Sequence, residues 1–323
     1  MKTAFVTGGC GYVGKTIVNE FIKKYDKIII FERKGCDTSW INDSKINLIY
    51  GDITDKETIT GIKQGYHIFH LAALWGARKE RFEVYERINV DGTKNVFDAS
   101  LKAGAEKFFF MSSISAIGPG NNIPLTEETH CRPRTIYGST KHKAENYIIE
   151  KSKNKITSVI FRVPLLYGPK PHPDSGRYNI VKAIKYPFYP VFGSGKNKIM
   201  LCNIKNLVSG IFKALDLNNK KANIFFIRDE EQISILELIR LLEKITRSKT
   251  RRLFLPKSLL YSIYQLSSLV SNISKRNLGL NYDSYKGAVS NSFICSIDKI
   301  KKMGYKPEHS LKEGFAEVVD SLK

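Results

Sequence analysis

The stretch Thr7-Gly8-Gly9-Cys10-Gly11-Tyr12-Val13-Gly14 restricts the fold of this chain more than any other. It follows the short apolar run Thr3-Ala4-Phe5-Val6 and precedes a pattern with Val13, Ile17, Val18, Phe21 and Ile22 on one helical face. Strand, glycine turn and helix in that order make a site for an anion. The tight turn lets backbone approach a pyrophosphate, and the helix N-terminus presents unpaired N–H groups. A lone GxGxxG carries little weight. Here Gly9, Gly11 and Gly14 satisfy it between the right two elements, and Gly8 extends it to the tighter TGGxGxxG form.

The same alternation continues downstream. Apolar runs recur at Lys27 to Phe31, Ile46 to Tyr50, His67 to Ala72, Phe108 to Met111 and Ser158 to Arg162, with helical patterns at Gly14 to Tyr25, Val90 to Ala103 and Ser139 to Lys151. That beat predicts an α/β fold, a Rossmann-type doubly wound parallel sheet. From Gly168 the texture changes, with Pro169, Pro171, Pro173, Gly176, Pro187, Pro190, Gly193 and Gly195 close together. We therefore expect a dinucleotide-binding domain over 1–168 and, over 169–323, mainly a smaller interleaved substrate lobe. Segments near 201–228 and 287–303 are expected to return to the first domain, with Phe225-Phe226-Ile227 as a further strand. Ser234 to Ile245 reads as a helix with Ser234 at its N-cap and Glu237 three residues on.

Glu32 ends the second predicted strand, where a carboxylate can accept from adenosine ribose hydroxyls and repel a 2′-phosphate. NAD is thus expected; NADP stays open because Arg33 is next and could hold that phosphate. Tyr137 and Lys141 stand at i and i+4 on one helix face. An ammonium beside a phenol favours the phenolate, which predicts a Tyr137 pKa below its usual value of about 10. Such a tyrosine can exchange the proton of a secondary alcohol while hydride moves to or from a nicotinamide. Ser112-Ser113, after the strand Phe108 to Met111, supplies a hydroxyl to orient the substrate oxygen.

With these residues in place the chain resembles the extended short-chain dehydrogenases/reductases over essentially its whole length. Gly51-Asp52-Ile53 resembles the segment whose Asp contacts adenine, and His70-Leu71-Ala72-Ala73 the HxAA strand end lining the cofactor. Asn89 to Thr93 is similar to the NxxGT helix start, and Arg162 to Pro169 to the RxxxxYGP strand. The resemblance implies catalytic roles for Ser113, Tyr137 and Lys141. It implies cofactor contacts for Gly8, Gly11, Tyr12, Val13, Gly14, Glu32, Arg33, Asp52, Ile53, Leu71, Ala72, Ala73 and Asn89. It also places Pro164 against the nicotinamide and Lys141 on its ribose, and it implies a homodimer.

Two branches of that family compete. Ile114 and Ser115 replace the acid pair of the dehydratases, and Ile199-Met200 stand where nucleotide-sugar enzymes tend to carry an arginine–aspartate pair. Leu74-Trp75-Gly76, Phe225 to Glu230 and Leu255-Pro256 look more like the 3β-hydroxysteroid dehydrogenase branch. The expected function is therefore NAD(P)-dependent hydride transfer at a secondary alcohol or ketone of a hydrophobic or lipid-linked small molecule. A nucleotide-sugar 4-epimerase is the alternative. Trp75, Ser113, Lys196 and Lys198 are the candidate substrate contacts, the lysines as point charges.

The remaining features are broader. The net charge is +21, spread along the chain, which reads as a lysine-rich surface and no nucleic-acid site. Lys244, Arg247, Lys249, Arg251, Arg252 and Lys257 do cluster, just before the stripe Leu259, Leu260, Ile263, Leu266, Val270 and Ile273. Such a stripe can mark a membrane-surface helix, but a core-facing one is the plainer expectation. Five scattered cysteines without a CxxC pair, and glycines where a signal peptide needs its apolar core, favour a reducing, cytoplasmic setting. No metal set with usable spacing is visible, and His67 and His70 read as satisfied core histidines.

Overall fold

Strand β1 (Thr3–Thr7) is buried along its whole length, as an apolar run in the middle of a parallel sheet must be. In this computed structural model the described residues are 1–76, 78–120, 124–170, 181, 184, 186–276, 281–291 and 293–322. Pro171, Pro173 and Gly176, part of the expected loop-rich segment, lie outside them. Around β1 stand β2 (Lys27–Glu32), β3 (Ile46–Tyr50), β4 (His67–His70), β5 (Lys107–Ser113) and β6 (Thr157–Val163). Further along come β7 (Leu165–Tyr167), β8 (Phe188–Phe192), β9 (Lys198–Ile199), β10 (Leu201–Asn203) and β11 (Ala222–Phe226), followed by β12 (Ile233–Ser234) and β13 (Arg251–Leu255). The central sheet runs β11-β6-β5-β4-β1-β2-β3, every pair parallel. Strand order reverses between β1 and β4, and a crevice opens at the carboxyl ends of strands at such a switch point.

Alternate residues of the strands feed two cores. Ala4, Val6, Ile28, Ile30, Phe69 and Phe109 meet Ile17, Val18 and Phe21 of helix α1 (Tyr12–Phe21) and the helix Ile204–Ala214. On the other face Phe5, Ile29, Ile68, Phe108 and Phe110 meet Val96 and Phe97 of α3 (Gly92–Lys102) and Ala144 and Ile148 of α4 (Ile136–Ser152). Each of the buried Val, Ile and Phe side chains among these stabilises the fold by about 1.5–3 kcal/mol. The short α2 (Phe82–Glu86) runs into a π-helical turn, Arg87–Asp91, ahead of α3.

A third core lies in the C-terminal part, where Tyr167, Leu201, Leu238, Leu242, Phe315 and Val318 pack together. The helix Ile235–Thr246 starts on the expected capping box of Ser234 and Glu237, and Leu311–Asp320 repeats the device with Ser310 and Glu313. The stripe on the helix Lys257–Ser274 departs from the core-facing expectation. Only Leu260 of that helix is buried. Amphipathic spacing selects a face but not what covers it, and here no element of the described chain does.

Candidate active site

At the end of β1 the glycines do separate jobs. Gly8 sits at φ +73°, and a Cβ there would fall 2.6 Å from the Ala72 backbone nitrogen. A Cβ on Gly14 would fall 2.2 Å from the Gly8 carbonyl oxygen, so only glycine lets α1 close onto the turn. Gly11 caps α1 without a side-chain bond, which leaves the first-turn N–H groups for an anion. Tyr12 begins α1, its hydroxyl 3.1 Å from the place a Cβ on Gly168 would take. Val13 packs onto the sheet core. We expect Gly14→Ala to weaken dinucleotide binding by roughly tenfold or more, because α1 must shift off the turn; titration monitored by tryptophan fluorescence measures it.

Glu32 reaches this loop. Its carboxylate accepts from the Cys10 N–H at 3.2 Å and the Arg33 N–H at 3.4 Å, while the Arg33 side chain lies exposed. Cys10 and Cys36, far apart in sequence, meet here with sulfurs 3.2 Å apart, both as free thiols. Asp52 accepts from the Thr54 N–H and hydroxyl, and Ile53 packs where a Cβ on Gly92 would lie 2.7 Å from it. Leu71, Ala72 and Ala73 continue from β4 alongside the loop, the Leu71 N–H bonded to the Thr7 carbonyl. These residues form a cradle with backbone donors at one end and a carboxylate at the other, which fits a dinucleotide.

Asn89 does something the sequence did not reveal. Its amide both accepts from the Leu74 N–H (2.7 Å) and donates to the Leu74 carbonyl (3.0 Å), and it also donates to Thr140 Oγ1 (3.2 Å). It thereby ties the segment after β4 to α4, from within a π-turn of the kind often found at functional sites. His70 bridges Thr7 (2.7 Å) and Thr93 (3.0 Å) inside the core. Burial and the Lys141 charge push it down to about 3, so it stays neutral and structural.

Ser112 and Ser113 end β5 and point to opposite faces. Ser113 Oγ accepts from the Ser115 N–H at 3.2 Å and caps a short turn, Ile114–Ala116. α4 begins against that turn: Thr135 caps it, and a Cβ on Gly138 would fall 2.2 Å from the Ser115 carbonyl. This close approach sets Tyr137 beside Ser113. Burial pushes the Tyr137 phenol up to about 12, while a hydrogen bond with Ser113 pulls it down. Lys141, one turn on, donates to the Met111 carbonyl at 2.8 Å and lies over the Phe110 ring at 4.5 Å. Burial pushes it down to about 7, against the attraction of Glu145. The expected lowering of Tyr137 is therefore reversed, because desolvation outweighs a lysine engaged elsewhere. Pro164 is buried between β6 and β7, at the same end of the sheet.

Behind the pair lies a buried ion pair. Glu145 accepts Ser112 Oγ at 2.5 Å and Arg162 through Nε (3.2 Å) and Nη2 (2.7 Å), and both charged side chains are at most 3% exposed. Burial pushes the Glu145 carboxyl up, but bonds from His142, Arg162 and Ser112 outweigh it and hold it below the usual range. Cys131, His142 and Glu145 present ligand atoms within 4.8 Å of one another. A metal ion there would have to displace the Arg162 guanidinium, which already links Glu145 to Cys131 Sγ at 3.1 Å. The signal for Glu145 was present in the sequence: it continues the four-residue spacing of Tyr137 and Lys141.

On the C-terminal side, Gly76 follows Trp75 and abuts the Tyr137 ring, where a Cβ would lie 3.1 Å from Cδ1. Trp75 itself stacks on Arg78. Lys198 is ion-paired with Glu237 at 3.0 Å, and Lys196 is exposed in a turn. Asp283, on the helix Tyr282–Val289, accepts from Thr135 Oγ1 at 3.3 Å and so touches the start of α4; sequence patterns gave no hint of it. Burial pushes its carboxyl up to about 6, against hydrogen bonds from Ser115 and Thr135. Folded protein then holds this proton more tightly than unfolded chain, so its stabilising effect is full below about 4 and lost as pH rises through 6. Asp283→Asn should melt higher than the parent at pH 8, with the gap closing near pH 4 in thermal scans.

The model of the NAD dependent epimerase/dehydratase family matches residues 4–227. UDP-glucose 4-epimerase of Vibrio cholerae is 27% identical, over 99% of this chain and 95% of its own. Sterol-4-alpha-carboxylate 3-dehydrogenase, decarboxylating, of Dictyostelium discoideum is 24% identical, over 98% of this chain and 100% of its own. Among solved structures, Bacillus cereus UDP-glucuronic acid 4-epimerase in complex with UDP-glucuronic acid and NAD matches with a TM-score of 0.77 at 23% identity, covering 99% of this chain and 98% of that one. That likeness shows the fold. The family match, spanning the glycine loop, β4 end, Ser113 strand and Tyr137–Lys141 helix in order, shows that the chain belongs to the NAD dependent epimerase/dehydratase family of extended short-chain dehydrogenases/reductases.

Proposed function

We propose that the protein is an NAD-dependent dehydrogenase or ketoreductase, similar to the 3β-hydroxysteroid type, acting on a secondary alcohol or ketone of a hydrophobic or lipid-linked small molecule. The observation that carries this is the engagement of Lys198 by Glu237, beside an apolar Ile199-Met200 where a diphosphate-holding pair would stand. A tyrosine cluster adds to it: Tyr264 stacks on Tyr285 at 5.5 Å, with Tyr261 and Tyr282 around them.

A bound nicotinamide would supply the hydride acceptor, or donor, for the carbinol carbon of the substrate. Tyr137 takes up or releases the hydroxyl proton, Ser113 orients the oxygen, and Lys141 in its ammonium form stabilises the phenolate. Asn89 holds the Leu74–Gly76 segment against Tyr137, keeping water from one side. Gly8, Gly11, Tyr12, Val13 and Gly14 would hold the pyrophosphate, Glu32 the ribose, and Asp52 and Ile53 the adenine side. Leu71, Ala72, Ala73 and Pro164 would line the nicotinamide half. Glu32 favours NAD over NADP, Arg33 being directed to solvent. We assign 1–168 to the cofactor domain with 201–228 and 287–303 returning to it, 169–323 mainly to the substrate lobe, and a homodimer to the assembly.

UDP-sugar 4-epimerisation is the second reading, favoured by the 27% identity with the Vibrio cholerae enzyme. Incubation with hydroxysteroids, and separately with UDP-glucose, decides between them. Net NADH formation at 340 nm with a hydroxysteroid is the expected result; sugar interconversion on retained NAD without net reduction would replace this reading with the second.

A further inference from the structure

We propose that the helix Lys257–Ser274 and the neighbouring strands β8 and β13 form a docking surface for an anionic phospholipid membrane. Leu259, Ile263, Leu266, Leu269, Val270 and Ile273 all face solvent, Leu266 at 64% and Ile273 at 75% exposure. Phe188, Leu253 and Phe254, in the paired strands β8 and β13, are each more than half exposed, and Pro256 joins β13 directly to the helix. Among the described residues, every exposed large hydrophobic side chain except Met1, Tyr50 and Leu165 belongs to this surface or, like Tyr186, to its margin. Exposed apolar side chains concentrated in this way mark an interaction site rather than ordinary scatter.

The charge pattern selects the occupant. From Lys244 to Tyr282 the chain has Lys244, Arg247, Lys249, Arg251, Arg252, Lys257, Lys275 and Arg276, and neither Asp nor Glu. Arg252 pairs with Glu243 just outside that stretch. Within the helix nothing after Lys257 is charged, so the cations flank an uncharged apolar cylinder at both ends. That is the distribution of a helix lying in the plane of a bilayer interface, apolar face in the acyl boundary and cations at the headgroups. A second copy meeting the same face across a two-fold axis would set like charges against each other, whereas anionic headgroups complement them. No helix among the described residues is long and apolar enough to cross a membrane, so the contact is with one leaflet.

This surface adjoins the active site. Tyr261 and Tyr264 of the helix pack on Tyr285, and the Tyr282–Val289 helix carries Asp283 to the start of α4. At the far end the Lys275 carbonyl accepts from the Phe82 N–H at 3.0 Å, beyond the Trp75 segment. The docking itself stands independently of the proposed alcohol chemistry.

Co-sedimentation of the full chain with vesicles tests it. Binding to vesicles with about one third phosphatidylglycerol should exceed binding to pure phosphatidylcholine by roughly tenfold and weaken in high salt. Leu266→Glu with Leu269→Glu should abolish it while leaving the circular dichroism spectrum and melting temperature unchanged, since both side chains face water. Failure to sediment with either vesicle would overturn the proposal. So would a stable dimer that the same double substitution converts to monomer, since the face would then belong to a second copy.

Discussion

Tyr137→Phe should lower turnover by about 10²- to 10⁴-fold while leaving dinucleotide affinity within a factor of about two. The substitution removes one oxygen and keeps the ring, which rests against Gly76. Gly8, Gly14 and Glu32 belong to the turn after β1 and the end of β2, not to α4, so the substitution leaves these binding determinants untouched. Loss confined to kcat identifies an interaction made in the transition state; equal loss of cofactor affinity would mean that the ring, not the hydroxyl, is what matters. The parent's pH profile adds a check. Tyr137 is pushed up to about 12 and Lys141 down to about 7, so the ammonium form of Lys141 is lost as pH rises through neutrality. If that form is needed, kcat/KM, which reports the free enzyme, falls over the same range, before any direct ionisation of Tyr137.

Glu145→Gln should destabilise the fold by about 3–5 kcal/mol, because it strands a guanidinium in the interior. The amide is nearly isosteric and still accepts from Ser112, so the loss comes from the charge on Arg162, whose side chain is 3% exposed. Pairing it with Arg162→Met should recover most of the stability in urea denaturation, since removing both partners leaves no uncompensated charge. The double variant has a second readout. Glu145 attracts the proton on Lys141, so its removal lowers the lysine further and moves the falling limb of the pH–rate profile to lower pH. A packing role alone would leave that limb in place.

Much of this was visible in one dimension because it rests on short-range rules. The glycine loop, the strand runs and the Ser234 capping box each depend on residues within a few positions of one another, and each fell where its pattern placed it. The placement of Tyr137 and Lys141 one turn apart on a helix was legible for the same reason. The sign of the Tyr137 shift was not, since desolvation depends on everything packed around a group rather than on its helix neighbour. Arg162 and Cys131 reach Glu145 only through the tertiary fold, and Cys36 meets Cys10 in the same way. Lys198 looked available until Glu237 came to face it from another element. The helix after Pro256 shows the limit most plainly: spacing by three and four drew its apolar side correctly, and among the described residues no element covers that side.

Tyr137, Lys141 and Glu145 occupy successive turns of α4, and each meets a different partner on strands β5 and β6. One residue inserted between any two of them would rotate the remainder by about 100°, carrying Lys141 away from Met111 or Glu145 away from Arg162. The length of this stretch of helix is therefore as constrained as the three side chains it carries. Residues added beyond Gly168 leave the pitch of α4 undisturbed, so length can change there without rotating Tyr137, Lys141 or Glu145 off their partners.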